Sequence, residues 1–222
     1  MRLLGTEIEV VFFDLDGTLV DSAVDLIAAM NRLRAELGEA PADSTAVGQV
    51  VSKGGRAMLR RGLPDADEAR IEALLPRFLQ LYSEGIAVHT RPYPGIDAVL
   101  TDLERRGIRW GIVTNKPGHL ARAVVAELAL DSRSAALVSG DCLAQRKPDP
   151  AQLLHACALI GVEAMRSVYV GDDARDIEAG QRAGMMTVAA AWGYLDGENP
   201  RDWGADCVVA TPHELLAALG LD

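Results

Sequence analysis

Two aspartates, Asp14 and Asp16, stand one residue apart in the sequence DLDGT, directly after a short apolar run. This spacing lets two carboxyl groups serve one site, while Gly17 permits a turn close to a ligand and Thr18 offers a hydroxyl. A plain polar turn is the simplest alternative. A calcium-binding loop also begins with DxDG, but it follows a helix and needs glycine and glutamate where this chain has leucine and aspartate.

A second acidic cluster follows the apolar segment SVYV and begins a predicted helix. It contains Asp172, Asp173 and Asp176, preceded by Gly171. Aspartate is favoured at a helix N-cap and in the first turn, so capping alone would explain one of these residues. Carboxylates that are brought together repel unless a cation neutralises them, and oxygen ligands suit Mg²⁺. The cluster, together with Asp14, therefore predicts a magnesium site.

Two further polar segments each follow an apolar segment and precede a predicted helix. Thr114, Asn115 and Lys116 offer a hydroxyl, an amide and backbone N–H groups, which suits an anion. Lys147, in the sequence RKPDP, is placed to offset carboxylate charge and orient a phosphoryl oxygen. An ordinary capped turn and a surface lysine are the corresponding structural alternatives.

These residues must be positioned by a regular framework of strands and helices. Short apolar segments rich in β-branched residues are predicted as strands at 8–15, 108–114, 136–139, 167–170, 186–190 and 207–209. Segments with a 3.6-residue period are predicted as helices at 96–106, 119–128, 151–160, 174–183 and 213–219. This alternation predicts an α/β fold, a doubly wound, Rossmann-like parallel sheet whose ligands gather at the carboxyl ends of the strands.

The alternation is interrupted between residues 22 and 86, where the patterns are helical. The first helix there is predicted to begin with a capping box of Ser22 and Asp25. Pro76 is expected to kink a later helix or to begin a new one. An all-helical block of this kind indicates an inserted small domain. We predict a helical cap at 19–91 and an α/β core at 1–18 and 92–222.

Composition excludes several classes of function. The chain has 222 residues and a formal charge of −10, which would repel the phosphate backbone of a nucleic acid. Cys142, Cys157 and Cys207 lie far apart, which favours a reducing compartment over a disulfide framework or zinc site. Since no apolar run has the length of a signal or a membrane span, we expect a cytoplasmic protein without a membrane partner. The oligomeric state stays open.

Together, the polar segments supply a carboxylate nucleophile, a second carboxylic acid, a divalent-cation site, a hydroxyl and a lysine. That inventory suits phosphoryl transfer through an aspartyl phosphate. A phosphorylated signalling receiver shares the sheet and the acidic pair, but it places its phosphorylated aspartate after the third strand and has no helical insertion. The position of the acidic pair therefore favours an enzyme over a receiver.

The order of the motifs resembles the haloacid dehalogenase-like hydrolase superfamily. Its motif DxDG[TV] matches residues 14–18, its second and third motifs match Thr114 and Lys147, and its motif GDxxxD matches residues 171–176. The helical insertion is similar to the C1 caps of the family. The resemblance covers the whole chain and implies a phosphatase with a capped, Rossmann-like core.

The resemblance also implies a role for each motif residue. Asp14 would be the nucleophile, and Asp16 would protonate the leaving oxygen and then activate water. Asp14, the backbone carbonyl of Asp16 and Asp172 would hold Mg²⁺. Thr114 and Lys147 would bind the phosphoryl group, with Thr18 and Asn115 beside it, while Asp173 and Asp176 would support the site. Because the dehalogenases lack the second aspartate, carbon–halogen hydrolysis is disfavoured.

Within the superfamily the chain resembles the phosphoglycolate phosphatases and, more closely, the bacterial N-acetylmuramic acid 6-phosphate phosphatases of cell-wall recycling. The segments SKGGRAML, AVHTRPYPG, VGDDARDIEAG and NPRDWGAD carry the closer match. The favoured substrate is therefore N-acetylmuramic acid 6-phosphate, with 2-phosphoglycolate as the alternative and a sugar phosphomutase as a further one. Lys53 and Arg56 flank a double glycine in the cap and are predicted to meet an anionic group of the substrate.

Overall fold

A six-stranded parallel sheet forms the centre of the computed structural model, which describes residues 8–221. Its strands are β1 (Val10–Phe13), β4 (Arg109–Val113), β5 (Leu137–Val138), β6 (Ser167–Gly171), β7 (Met186–Ala190) and β8 (Cys207–Val209). Their order across the sheet is β5-β4-β1-β6-β7-β8, so β1 pairs with β4 on one side and β6 on the other. The chain winds outwards from β1 in both directions, and the polar segments after β1, β4 and β6 meet at one edge.

Helices cover both faces of this sheet. They are α5 (Ile96–Arg105), α6 (Gly118–Glu127), α7 (Ala151–Ile160), α8 (Ala174–Ala183) and α9 (Leu215–Ala218). Val11 and Phe13 of β1 pack in one apolar cluster with α5, α6 and α9, whereas Val10 and Phe12 pack in another with α7 and α8. Side chains alternate between the two faces of a strand, and both faces of β1 are covered by helices. Every position of β1 is therefore buried and apolar. The predicted doubly wound α/β fold is confirmed.

Four helices follow β1 and pack around an apolar cluster of their own. They are α1 (Ala23–Glu36), α2 (Ser44–Gly48), α3 (Gly55–Gly62) and α4 (Glu68–Glu84). We call these helices the cap. A two-stranded antiparallel ribbon, β2 (Val20–Asp21) with β3 (Arg91–Pro92), joins the cap to the sheet.

Short 3₁₀ turns occur at Val51–Lys53, Ala164–Arg166, Pro200–Trp203 and Pro212–Glu214. The domain limits given above stay a prediction. Every helix within residues 8–221 is too short or too polar to cross a membrane.

The start of α1 differs from the predicted capping box. Ser22 makes no side-chain cap; its hydroxyl donates to Asp16 Oδ1 at 2.5 Å. The Tyr194 hydroxyl instead accepts from the backbone N–H groups of Ser22 at 2.9 Å and Ala23 at 3.0 Å, and donates to Asp21. The helix terminus is therefore capped by a residue distant in sequence, and the prediction was wrong because a local motif could not reveal that competitor.

Asp25, the other member of the predicted box, turns towards the returning chain. Its carboxylate accepts from the backbone N–H groups of His89 and Thr90 and from the Thr90 hydroxyl, at 2.6 to 3.0 Å. The side chain thus fastens α1 to the segment that leads into β3. Pro76 lies inside α4, which runs unbroken from Glu68 to Glu84, so it does not begin a new helix.

Candidate active site

Residues from the sheet edge and the cap line one cavity of about 320 Å³. The sheet contributes Asp14 and Asp16 after β1, Thr114 after β4, and Lys147 from the loop before α7. These four predicted site residues therefore share one space, as expected for the carboxyl ends of parallel strands. A second cavity, of about 440 Å³, lies within the cap near residues 61–66, and no predicted site residue lines it.

Asp14 is nine-tenths buried and faces the ammonium group of Lys147. Its Oδ1 lies 3.0 Å from Lys147 Nζ, yet no group within residues 8–221 forms a hydrogen bond with this oxygen. Lys147 Nζ donates instead to the Val113 carbonyl at 3.1 Å, the Tyr169 hydroxyl at 2.6 Å and Asp176 at 2.7 Å. Burial acts to lower the pKa of Lys147, but Asp14 and Asp176 outweigh it and raise this pKa. Asp14 thus faces a firmly held cation, and its buried Oδ1 is a polar atom that lacks a hydrogen-bond partner among residues 8–221.

Three buried carboxylates, those of Asp14, Asp172 and Asp176, place oxygen atoms within 4.8 Å of one another. Burial, followed by the charges of Asp14 and Asp176, raises the pKa of Asp172 well above its usual range. Burial also raises the pKa of Asp176 despite the opposing effect of Lys147. These shifts show carboxylates that repel one another, and an all-oxygen donor set of this charge fits Mg²⁺. Of the predicted ligands, the Asp14 and Asp172 side chains are in the cluster. The third predicted ligand is the backbone carbonyl of Asp16, whose side chain pairs with Lys116.

Asp172 is held by donors on several sides. The Thr18 hydroxyl donates to its Oδ1 at 2.9 Å, and the Tyr194 backbone N–H donates to its Oδ2 at 2.8 Å. Gly17 has a φ of +85°, and a Cβ there would lie 2.0 Å from Asp172 Oδ2, so this turn requires glycine. Thr18, predicted beside the phosphoryl group, therefore contacts a carboxylate of the acidic cluster.

Asp16 forms an ion pair with Lys116, which the sequence placed in a candidate anion-binding segment without predicting a role for its side chain. Lys116 Nζ lies 2.9 and 3.0 Å from the two Asp16 oxygens and 3.0 Å from the hydroxyl of Tyr82, on cap helix α4. Burial acts to lower the pKa of Lys116, but Asp16 and Tyr82 together outweigh it and raise this pKa. The only sequence signal was its place two residues after Thr114. The pair fixes the Asp16 carboxylate at the border between sheet and cap.

The two residues before Lys116 help to shape the turn after β4. Thr114 is buried and its hydroxyl accepts from the backbone N–H of Lys116 at 3.2 Å. The Asn115 side chain donates to the Lys147 carbonyl at 3.1 Å and accepts from the Lys147 N–H at 3.2 Å. Both residues line the cavity. Asn115 thereby ties the backbone of Lys147 to the second motif.

The cap loop that begins at Ser52 contacts the acidic loop of the sheet directly. Ser52 Oγ lies 2.7 Å from Asp172 Oδ2 and 3.2 Å from the Asp16 carbonyl oxygen, while Arg175 donates to the Ser52 carbonyl at 2.7 Å. Burial acts to raise the pKa of Asp173, but the Arg175 guanidinium outweighs it and lowers this pKa to about 2. Ser52 and Arg175 are site residues that the sequence analysis missed.

Both predicted cap cations line the cavity and both have carboxylate partners. Lys53 Nζ lies 3.2 Å from Asp173 Oδ2 and 2.7 Å from Glu198 Oε1. Arg56 is half exposed and pairs with both oxygens of Glu72, at 2.5 and 2.8 Å. A substrate anion would have to compete with these carboxylates. The cap also gives the cavity an apolar wall, formed by Leu26, Val51, Met58, Leu75, Phe78 and Leu79.

Known proteins resemble this chain over nearly its whole length. A phosphoglycolate phosphatase of Xylella fastidiosa is 46% identical over 206 residues, which cover 92% of this chain and 90% of the relative. An N-acetylmuramic acid 6-phosphate phosphatase of Pseudomonas aeruginosa is 43% identical over 214 residues, which cover 96% of this chain and 95% of the relative.

Solved structures share the fold. The crystal structure of a predicted phosphoglycolate phosphatase from Haemophilus somnus aligns with a TM-score of 0.86 at 24% identity, covering 96% of this chain and 99% of that one. The haloacid dehalogenase-like hydrolase family itself matches residues 11–190, which include the acidic pair, the lysine and the acidic cluster. The chain belongs to the haloacid dehalogenase-like hydrolase family and, like the relatives named above, is a phosphatase.

Proposed function

We propose that the chain hydrolyses the phosphate monoester of a small metabolite, with Asp14 as the nucleophile. The observation that carries this proposal is the buried Asp14 oxygen, which lies 3.0 Å from the Lys147 ammonium group and has no hydrogen-bond partner in the described part of the chain. A carboxylate desolvated in this way is poised to meet an incoming electrophile, and the nearby cation offsets the charge of a phosphoryl group.

The reaction proceeds in two displacements. Asp16 enters the first step in its protonated form. An Asp14 oxygen forms a bond to phosphorus while the bond from phosphorus to the leaving oxygen breaks, and Asp16 gives that oxygen its proton and becomes the carboxylate. Water then attacks the aspartyl phosphate, Asp16 takes the proton of the water, and inorganic phosphate departs with Asp14 restored. Lys116 holds Asp16 in place between these steps, and Lys147 balances the charge on the phosphoryl oxygens together with Thr114.

Asp14, Asp172 and the Asp16 carbonyl would hold Mg²⁺, in agreement with the mutual repulsion of the buried carboxylates. When bound, the ion would neutralise charge shared by the nucleophile and the phosphoryl oxygens. Asp176 would support Lys147, with which it forms a buried ion pair, and Asp173 would anchor Arg175 and Lys53. A cytoplasmic site of action stays a prediction.

For the substrate we favour N-acetylmuramic acid 6-phosphate, with 2-phosphoglycolate as the second candidate. Relatives named for either substrate match at similar identity, 43% and 46%. The cavity supports the larger compound, because about 320 Å³ lies in the size range of pockets that enclose whole small-molecule ligands, and its cap wall is apolar. A two-carbon acid would leave that wall without a contact, whereas the acetyl and lactyl groups of the sugar could pack against it.

The test is phosphate release from both compounds by the wild-type protein and by the Asp14→Asn variant. We expect a higher kcat/KM for the sugar phosphate and no turnover in the variant, because an amide is a poor nucleophile. Preference for 2-phosphoglycolate would reverse the choice of substrate. Full activity of Asp14→Asn would refute the nucleophile assignment, and release of an isomer without free phosphate would identify a mutase.

A further inference from the structure

Six cationic side chains line the cavity: Lys53, Arg56, Lys116, Arg146, Lys147 and Arg175. Five of them already have carboxylate partners, at 2.5 to 3.2 Å. Arg146 differs, because within residues 8–221 its guanidinium forms neither an ion pair nor a hydrogen bond. The cavity therefore contains one cation that can accept an anion without giving up a partner.

The backbone on either side of Arg146 is well fixed although its side chain is exposed. The carbonyl of Arg146 accepts from the Asp149 N–H at 2.9 Å. The N–H of the next residue, Lys147, lies 3.2 Å from Asn115 Oδ1 and 3.1 Å from Gln152 Oε1. The backbone of Arg146 is thus fixed directly beside the lysine that faces Asp14. Its long side chain extends from this fixed backbone and lines the cavity next to Lys147.

Two anionic groups of different kinds must be bound if the proposed function holds. The phosphoryl group is provided for by Asp14, Thr114 and Lys147, whereas both candidate substrates also carry a carboxylate. An arginine fork binds a carboxylate through two parallel hydrogen bonds, which a paired lysine cannot match. Lys53 would have to leave two carboxylates and Arg56 would have to leave its bidentate partner to do the same.

We propose that Arg146 binds the carboxylate of the substrate and so selects phosphate esters of carboxylic acids, an inference that rests on the proposed function. The carboxylate then lies towards the α/β core, beside Lys147, and the apolar substituents lie towards the cap wall. This assignment makes the core contribute to specificity as well as to chemistry.

A matched pair of substrates isolates the contact. N-acetylglucosamine 6-phosphate lacks the lactyl group, and hence the carboxylate, of N-acetylmuramic acid 6-phosphate but shares the rest of the sugar phosphate. In Arg146→Ala we expect kcat/KM for the muramic ester to fall about tenfold or more, chiefly through KM, which is the effect of losing a charged guanidinium–carboxylate contact that is partly exposed to water. The glucosamine ester should change less than about twofold, and Arg146→Lys should lie between.

Control variants separate this contact from general attraction of anions. Arg201 is exposed and does not line the cavity, so Arg201→Ala should preserve the ratio between the two esters. If Arg146 only attracted anions to the cavity mouth, both esters would lose activity equally, and that outcome overturns the inference. A changed ratio in Lys53→Ala or Arg56→Ala with none in Arg146→Ala also overturns it. Phosphate release from 2-phosphoglycolate but from neither sugar ester refutes the sugar phosphate as substrate, and an unchanged kcat/KM for 2-phosphoglycolate in Arg146→Ala then overturns this inference. No release from any of the three compounds by the wild type refutes the proposed function.

Discussion

Removal of the Asp25 carboxylate should destabilise the protein more than removal of a solvent-exposed helix N-cap side chain would. Asp25 and Thr90 are almost fully buried, and the carboxylate accepts three hydrogen bonds from the backbone and hydroxyl donors of Thr90 and the backbone of His89. His89 is exposed, so water can replace the carboxylate there. In Asp25→Ala, two buried donors of Thr90 would be left without a partner.

Each unsatisfied buried donor costs about 1–3 kcal/mol, so the loss of partner for two of them in Asp25→Ala should lower the free energy of unfolding by about 2–6 kcal/mol. For a chain of this length, roughly 2–4 °C of Tm is lost per kcal/mol, which predicts a fall in Tm of roughly 4–24 °C. Urea denaturation followed by circular dichroism measures the free energy, and a thermal scan measures the Tm.

Two variants set the scale of this measurement. Asp43 caps the exposed start of α2 through Thr45 and Ala46, so Asp43→Ala should cost about 1 kcal/mol. Thr90→Val removes one donor but leaves the carboxylate, and should cost about 1–2 kcal/mol. A loss below about 1 kcal/mol in Asp25→Ala, no greater than in Asp43→Ala, would refute the reasoning that these buried donors depend on the carboxylate.

Three further predictions concern the active site. Asp16→Asn should slow alkyl phosphates by about 10²–10⁴-fold and aryl phosphates much less, because a phenolate leaves without a proton; equal losses in a steady-state comparison would make Asp16 structural. Lys116→Met should destabilise the fold by about 3–5 kcal/mol in urea denaturation, since it leaves a mostly buried carboxylate unpaired; an unchanged midpoint would contradict this. Saturating Mg²⁺ should raise the Tm of the wild type by roughly 5–10 °C but not that of Asp172→Asn, and equal shifts would exclude Asp172 as a ligand.

The strands of the sheet could be predicted because their apolar amino-acid composition distinguishes them from the neighbouring segments. Strands 186–190 and 207–209 and helices 151–160 and 174–183 occur at the predicted residues, and the remaining strand and helix limits differ by a few residues. Buried parallel strands are apolar on both faces, so they stand out from the helical segments around them. The residues that follow these strands then had to meet at one edge, which is why Asp14, Thr114 and Lys147 share a cavity.

Contacts between the cap and the sheet were not predictable in the same way. Asp25 looked like a capping residue because its short-range pattern fitted, yet its partners are 64 and 65 positions away. Lys116 looked like part of a turn, and only the fold brings it between Asp16 and Tyr82 of the cap. A local pattern reports what a residue can do nearby, whereas tertiary packing decides which partner it meets.

Tyr194 has a consequence for attempts to exchange caps between related enzymes. Its hydroxyl caps the first helix of the cap, while its backbone N–H holds Asp172, so one residue of the core serves both the junction and the acidic cluster. In a chimera with a foreign cap between β2 and β3, the first helix of that cap would begin beside Tyr194. Its first residues would not be matched to the tyrosine hydroxyl as a capping group. The loop that carries Tyr194 should therefore be transferred together with the cap, because its hydroxyl caps the start of the first cap helix.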